Sequence, residues 1–456
     1  MYDENILLKL KNYLNRINYH LLLTLLLGEE VYFVNPLPDY KTVINNLSKV
    51  DLRYRSIIKF FLLGEPIDKI ILDEELDESL INYLYEIEVI NKDQTSYWLN
   101  NYCLTSYCNC YVLVSNVFYY PTCQSREQKP YIGIDSYWLA RIVVNRVYGK
   151  VLDLCTGSGI QAILAAQTAE KVVAVDLDPE SVNIARLNVC INGLSSKIKV
   201  LSGDLYECIN REKFDFIISN PPFIPIPIGV NFHICGDGGE DGMSIIRRII
   251  KGYKSHLKPN GEAIMIGQCI GTFDNALIKG VIEEESPGQE YNLIIQKSIP
   301  IESQAFGFSK LSTIYNGKSV SSDEWLENYR KMGMTHFHTF TLFEKLTDGT
   351  NQVVRIADTW SSEMIPISAL SSIKEVSKNY LLTSNKGNKM IVDEETALFL
   401  NAIDGKTELV EILKKMPLKY RLKDGNNGTI NMLVKYASVC SQLERQSMIE
   451  RVGSKP

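Results

Sequence analysis

At 456 residues, 45% of them hydrophobic and 22% charged, the chain has an ordinary globular composition and length enough for a sizeable core in about three domains. Its 48 Lys and Arg against 54 Asp and Glu leave a net charge of −6, which disfavours a long polyanion as partner, since such ligands are held by a basic excess or stripe. The longest apolar run, around Leu21 to Leu27, falls short of the roughly 20 residues that span a bilayer, and Asp3 and Glu4 are unlike the start of a signal peptide. Ten cysteines in a chain of this length are not a disulfide framework, so a cytoplasmic protein that does not engage a membrane is expected.

Helical periodicity runs over Glu4 to Leu27, Lys49 to Leu63 and Glu74 to Ile90, after which Ser96 to Leu104 and Cys110 to Phe118 alternate as a two-stranded ribbon. Helices followed by a ribbon predict a winged-helix-like module over residues 1–128, which either recognises a partner or only packs against the rest. Cys103, Cys108, Cys110 and Cys123 lack the paired Cys-x-x-Cys spacing of a zinc site. His336 and His338 alternate on one face of a predicted strand with no third ligand, so no metal is expected.

From about Gly149 to Glu285 strand and helix alternate, which predicts a parallel sheet with right-handed crossovers. Val151 to Cys155 is an apolar strand run that enters Thr156-Gly157-Ser158-Gly159, where glycine permits a tight turn and close approach of the backbone to a ligand before a helix near Ile160. Lys171 to Asp176 ends in a carboxylate, followed by Leu177, about 20 residues further on, where a doubly wound sheet holds a ribose. Ile198 to Leu201 leads into Ser202-Gly203-Asp204-Leu205, and Phe214 to Ile218 into Ser219-Asn220-Pro221-Pro222-Phe223. Polar or glycine residues thus gather at one carboxyl edge, the ligand edge of open α/β sheets. Strands at Glu262 to Gly267, Tyr291 to Ile295 and His336 to Lys345 follow, and an insertion containing Phe306-Gly307-Phe308 and Trp325 is either a lid or a surface excursion. Arg141, Arg146 and Lys150, with Arg247, Arg248, Lys251 and Lys254, either line the cleft or form solvated helix faces.

The Asn-Pro-Pro-Phe run has a specific chemical meaning. A planar nitrogen is a poor nucleophile because its lone pair is delocalised. An Asn side-chain oxygen and a neighbouring peptide carbonyl can both accept from an NH2, prolines stiffen the backbone without adding an N–H, and an aromatic ring offers a stacking surface.

Ordered from Gly157 through Asp176 and Asp204 to Asn220, the set resembles the class I S-adenosylmethionine-dependent methyltransferases that act on planar nitrogens. Within them it is similar to the group that methylates the glutamine amide of translation release factors. Gly238-Gly239-Glu240-Asp241-Gly242-Met243 with Arg247-Arg248-Ile249-Ile250 resembles the segment that follows the motif in that group. The resemblance covers residues 130 to 270, and Phe223 stands where the group has Tyr. It implies an α/β class, a Rossmann-like seven-stranded methyltransferase sheet over 129–348, and S-adenosylmethionine as cofactor. It further implies Gly157 and Gly159 beside the methionine part, Asp176 on the ribose hydroxyls and Asp204 facing the adenine amino group, with Thr156, Leu177, Leu205 and Asn220 in the same set. Asn220 and Pro221, with Pro222 and Phe223, would hold the acceptor. Tyr131 to Ser136 resembles a stretch that closes over the cofactor, in which Asp135 and Ser136 are either polar contacts or a helix cap. Asp153 either touches the cofactor or ties down the loop through backbone N–H groups.

The acceptor expected is a peptide, protein or amino-acid-like molecule. The alternatives are an exocyclic base amino group of RNA or DNA, and a non-catalytic S-adenosylmethionine-binding interaction protein. Residues 349–456 are expected to form a small, mostly helical domain, in which Lys389 to Leu400, Asp404 to Thr407 and a helix at Glu408 to Met416 weakly resemble peptide-binding modules of peptide-modifying enzymes. That block either binds a peptide or packs.

Overall fold

A computed structural model describes residues 2–27, 40–48, 50–115, 130–144, 146–230, 232–302, 304–305, 308, 321–347, 351–355, 370–376, 379–384, 389–392 and 398. The chain divides into two compact units, Met1–Ile356 and Ala357–Pro456.

The first unit begins with helices α1 (Glu4–Arg16), α2 (Tyr19–Leu27), α3 (Tyr40–Leu47), α4 (Leu52–Ile58), α5 (Lys69–Glu75) and α6 (Glu78–Glu86). Side-chain caps punctuate them: Asp3 accepts from the Asn5 and Ile6 N–H groups, and Asp77 starts α6 by accepting from Ser79. Asp77 divides the single helix expected over Glu74 to Ile90, and Asn18, at φ 53°, divides the one expected over Glu4 to Leu27. Strands β1 (Ile67–Asp68), β2 (Ile90–Lys92) and β3 (Ser96–Leu99) make a small antiparallel sheet in the order β1-β3-β2. A separate hairpin pairs β4 (Tyr102–Tyr107) with β5 (Cys110–Ser115). The strand expected over Ser96 to Leu104 is therefore broken, because Asn101 sits at φ 58° between β3 and β4.

The core sheet comprises β6 (Gly149–Leu154), β7 (Ala169–Asp176), β8 (Ile198–Ser202), β9 (Phe214–Ser219), β10 (Leu257–Gly271), β11 (Glu290–Pro300), β12 (His336–Lys345) and β13 (Gln352–Arg355). Its order is β13-β11-β12-β10-β9-β6-β7-β8. The seven strands β6 to β12 correspond to those expected, and β13 adds an eighth at the edge by pairing in parallel with β11. β6 through β10 pair in parallel, while β12 runs antiparallel between β10 and β11. Helices α7 (Ile134–Val143), α8 (Ile160–Ala165) and α9 (Pro179–Ile191) cover one face. α10 (Ser244–His256) and α11 (Leu277–Glu285) cover the other, and α12 (Ser322–Lys331) lies in the β11–β12 insertion. Alternation along each strand feeds both layers: Val151, Val172 and Ala174 join one cluster while Leu152, Val173 and Val175 join the other. Burial on both faces is why these strands read as continuous apolar runs.

The hairpin of the N-terminal part docks on α9 through two buried amides. Asn188 and Asn192 accept from Leu113 and Tyr111 N–H and donate back to the same residues' carbonyls. Asn188 also donates to Ser158 O at 2.9 Å, so one side chain holds the hairpin and the glycine-rich turn together.

In the second unit the described residues other than Leu398 are strands, β14 (Leu370–Val376), β15 (Asn379–Ser384) and β16 (Lys389–Val392), in one antiparallel sheet. Asp404 to Thr407 and the helix expected at Glu408 to Met416 lie outside the described residues, as do Cys123, Phe306 and Gly307. Among the described residues no helix is long and apolar enough to cross a membrane, and no group of three or more His, Cys, Asp or Glu is placed to hold a metal ion.

Candidate active site

The carboxyl ends of β6, β7, β8 and β9 open onto one cleft of about 1350 Å³, counting its mouth. From β6 the chain turns through Cys155, at φ 59°, and Gly157, at φ 55°, into α8. Gly157 donates its N–H to Asp176 Oδ2 at 2.8 Å, and a Cβ built on it would meet nothing within 4 Å. The backbone here is therefore bare toward the cleft. The other Asp176 oxygen accepts from Asp178 N–H at 3.0 Å. Burial raises the Asp176 carboxyl above the usual carboxylate range, and the two N–H donors act against that rise.

Gly159 has a different task from the one expected. At φ 82°, its Cβ would lie 3.2 Å from Ala185 Cα and Cβ, so its smallness lets α8 begin against α9, and it does not line the cleft. Asp153 is also behind the wall. It is 1% exposed, accepts the Thr156 hydroxyl, and has a carboxyl that burial pushes up to about 7. Asp153 thus ties down the turn through a side-chain hydroxyl.

Asp204, after β8, pairs with Arg248 Nη2 of α10 at 2.9 Å, and Leu205 follows at φ 50°. Of the basic residues weighed for the cleft, none lines it. Arg146, Lys150 and Arg247 pair instead with Glu262, Glu212 and Asp241.

At the end of β9, Ser219 Oγ donates to Leu154 O at 3.0 Å, which pins β9 to β6 just before Asn220. Asn220 Nδ2 donates to Asp135 Oδ2 at 2.8 Å, while its Oδ1 is buried without a hydrogen-bond partner. Asp135 stands in the first turn of α7, whose N-cap is Gly133 with no side-chain cap bond. The cap reading of Asp135 is accordingly replaced by a contact with Asn220. Ser136 holds the same corner, its Oγ 3.5 Å from Asn220 Nδ2 and its carbonyl accepting from Gln161 Nε2 at 2.7 Å.

After Pro221, Pro222 and Phe223 the chain folds back, and Gly242, at φ 76°, fits beneath Phe223 because a Cβ there would come within 2.5 Å of the Phe223 carbonyl oxygen. The cleft thus collects Asp135, Thr156, Gly157, Asp176, Leu177, Asp204, Leu205 and Asn220 to Phe223 from the expected set, and leaves out Asp153 and Gly159. It adds Asp178 and the wall His233 to Asp237. Asp178 was legible, since Asp-Pro-Glu after a strand is a helix start, and it caps α9. The His233 to Asp237 wall carries no local signal.

A family model described as methyltransferase small domain matches residues 132–285. A ribosomal protein uL3 glutamine methyltransferase of Bradyrhizobium diazoefficiens is 37% identical over 125 residues, 25% of this chain and 39% of that protein. A release factor glutamine methyltransferase of Clostridium acetobutylicum is 35% identical over 151 residues, 30% of this chain and 52% of that protein. The core is a class I S-adenosylmethionine-dependent methyltransferase domain. A putative protein N5-glutamine methyltransferase of Methanocaldococcus jannaschii, 33% identical over 132 residues, covers 28% of this chain and 66% of that protein. The chain spans about half the length, or less, of the first two relatives, so the likeness speaks for the methyltransferase core and not for the flanking parts.

Proposed function

We propose that this chain transfers a methyl group from S-adenosylmethionine to a side-chain amide nitrogen of a protein. The carrying observation is Asn220: its Nδ2 is committed to Asp135 and its buried Oδ1 lacks a donor. A buried acceptor without a donor costs about 1–3 kcal/mol, and an amide NH2 would supply one. The relatives, whose names specify glutamine in a ribosomal protein and a release factor and, for that of Methanocaldococcus jannaschii, protein N5-glutamine, support the same acceptor class.

The cleft suits the donor. Gly157 leaves open space at the turn, and Asp135, Asp176, Asp178 and Asp237 give the cleft a negative lining that favours a cationic ligand. Gly157 and Asp176 would hold it, with Thr156, Leu177, Asp204 and Leu205 around them. S-adenosylmethionine would supply an electrophilic methyl on a sulfonium centre, the C–S bond breaking as the N–C bond forms, so that the electron pair stays on the departing neutral thioether and the displaced amide proton passes to solvent. Asn220 Oδ1 and the Pro221 carbonyl would accept from the acceptor NH2 and hold its lone pair toward the methyl, and Phe223 would stack on the amide plane. Catalysis is then mostly positioning, with nitrogen, methyl carbon and sulfur brought into line. The division into an N-terminal module (1–128), the methyltransferase core (129–348) and a C-terminal block (349–456) belongs to this reading, supported by the family match over 132–285.

The test supplies methyl-labelled S-adenosylmethionine with host extract. Label that protease releases and nuclease does not is the expected outcome. Nuclease-sensitive label would shift the acceptor to a base amino group, and label passing a small-molecule filter would exclude a protein.

A further inference from the structure

Residues Phe223 to Ile228 read Phe-Ile-Pro-Ile-Pro-Ile, so this stretch has a backbone N–H only at alternate positions beyond Phe223. Ile224 donates to Gly236 O at 2.9 Å, which joins the stretch to the cleft wall, and Ile226 donates to Gly239 O at 2.8 Å, just beyond it. On its other side Pro225 O accepts from Tyr329 Oη of α12 at 3.0 Å, in a buried bond that spans 104 residues of sequence. Tyr329 and Trp325 are both 0% exposed, and they form a satellite core with Ile226, Phe308 and Phe337. Phe232, next to the wall, meets the Trp325 ring edge-on at 6.1 Å. The helix has its own anchor, a capping box between Ser321 and Glu324.

The described part of the β11–β12 insertion is thus a buttress beneath the chain that leaves Phe223. Asn220 is fixed from the β9 side by Ser219, but the Phe223 side depends on what holds Pro225 and Ile226. A shift of about 1 Å in a positioning group can cost roughly 10²-fold in rate. We propose that α12 is a positioning strut for the acceptor side of the cleft, acting through Tyr329 on Pro225 and through Trp325 on Phe232. Tyr329 is a positioning residue that sets the acceptor's place without contributing to cofactor affinity. The inference rests on the methyl-transfer reading for its effect on turnover, and on the hydrogen bonds alone for its effect on the wall.

Tyr329→Phe removes one hydroxyl and keeps the ring in its core, and Phe232→Leu loosens the same wall from the loop side. In Tyr329→Phe, amide exchange at Ile224 and Ile226 should speed up about fivefold to tenfold, with exchange at Gly157 unchanged. S-adenosylmethionine Kd should stay within about twofold, while turnover in methyl incorporation into protein falls, and the extract concentration that half-saturates it rises, several-fold in both variants. Unchanged exchange at Ile224 and Ile226, or a loss of S-adenosylmethionine affinity that matches the loss of turnover, overturns the strut. Absence of any protein labelling by the wild-type chain would overturn the proposed activity instead, and the exchange measurement would still decide the strut.

Discussion

Asn220 Nδ2 lies 2.8 Å from Asp135 Oδ2, and this bond decides which end of the Asn220 amide faces an acceptor. A free carboxamide can present either donor or acceptor. With NH2 held by a carboxylate, only the Oδ1 acceptor is left over, the end that an incoming NH2 needs. Asp135→Ala should therefore lower turnover about 10–100-fold, as loss of an orienting partner behind a functional group commonly does, with S-adenosylmethionine Kd within about threefold. Stopped assays with calorimetry on the same variant check it. A parallel loss of cofactor affinity would return Asp135 to the cofactor-contact role that the resemblance implied.

The glycine-rich turn gives a second expectation. Gly157→Val forces a β-branched residue into φ 55° and fills the open side of the turn, and Asp176→Ala removes both the acceptor for Gly157 N–H and the carboxylate at the end of β7. Each should weaken S-adenosylmethionine binding about tenfold or more, the scale of a charged hydrogen bond of roughly 1.5–3 kcal/mol. Gly159→Ala should differ in kind. It acts through the Ala185 contact, so its cost should appear in thermal stability before it appears in affinity.

These two glycines show where sequence stopped being informative. Strand runs ending in Gly157, Asp176, Asp204 and Asn220 were legible because strands buried on both faces write unbroken apolar runs, and polar residues placed just after them can only gather at one edge. The role of Gly159 depends on where α9 crosses α8, and that of Asp153 on a hydroxyl that turns inward. The His233 to Asp237 wall is held by the backbone bond from Ile224 to Gly236, and the Tyr329 buttress acts from far along the chain, so neither has a local pattern to read. β13 is four residues long, too short for periodicity to register.

A buried carboxyl away from the cleft sets a pH dependence. Glu344, 1% exposed on β12, accepts from Ser286 Oγ, and burial raises it to about 7. A carboxyl with a raised folded value keeps its proton in the folded chain while the unfolded chain gives it up. Its contribution is complete below the unfolded value and is lost as pH rises through the folded one. Wild-type stability should thus fall between about pH 4.5 and pH 7 from this group, by up to about 3 kcal/mol. Glu344→Gln keeps an acceptor for Ser286 and does not ionise, so its advantage over wild type should grow from pH 5 to pH 8 in urea unfolding. An advantage that is flat with pH would mean that Glu344 is not the source of the slope.

Chemistry and binding separate most sharply at the Asn-Pro-Pro-Phe run. Asn220 Oδ1 is a buried acceptor left without a donor, and the cofactor contacts proposed at Gly157 and Asp176 lie on other strand ends. Asn220→Ala should keep S-adenosylmethionine affinity near that of wild type while turnover on the identified acceptor falls about 10²–10³-fold, the usual cost of a lost preorganised polar group. Phe223→Ala should lose rate through lost stacking, and Phe223→Tyr should be tolerated because the ring face is retained. Near-normal turnover in Asn220→Ala would sink the planar-nitrogen mechanism, since no lone pair would then need to be held outward, and an oxygen or carbon acceptor would become the chemistry to pursue.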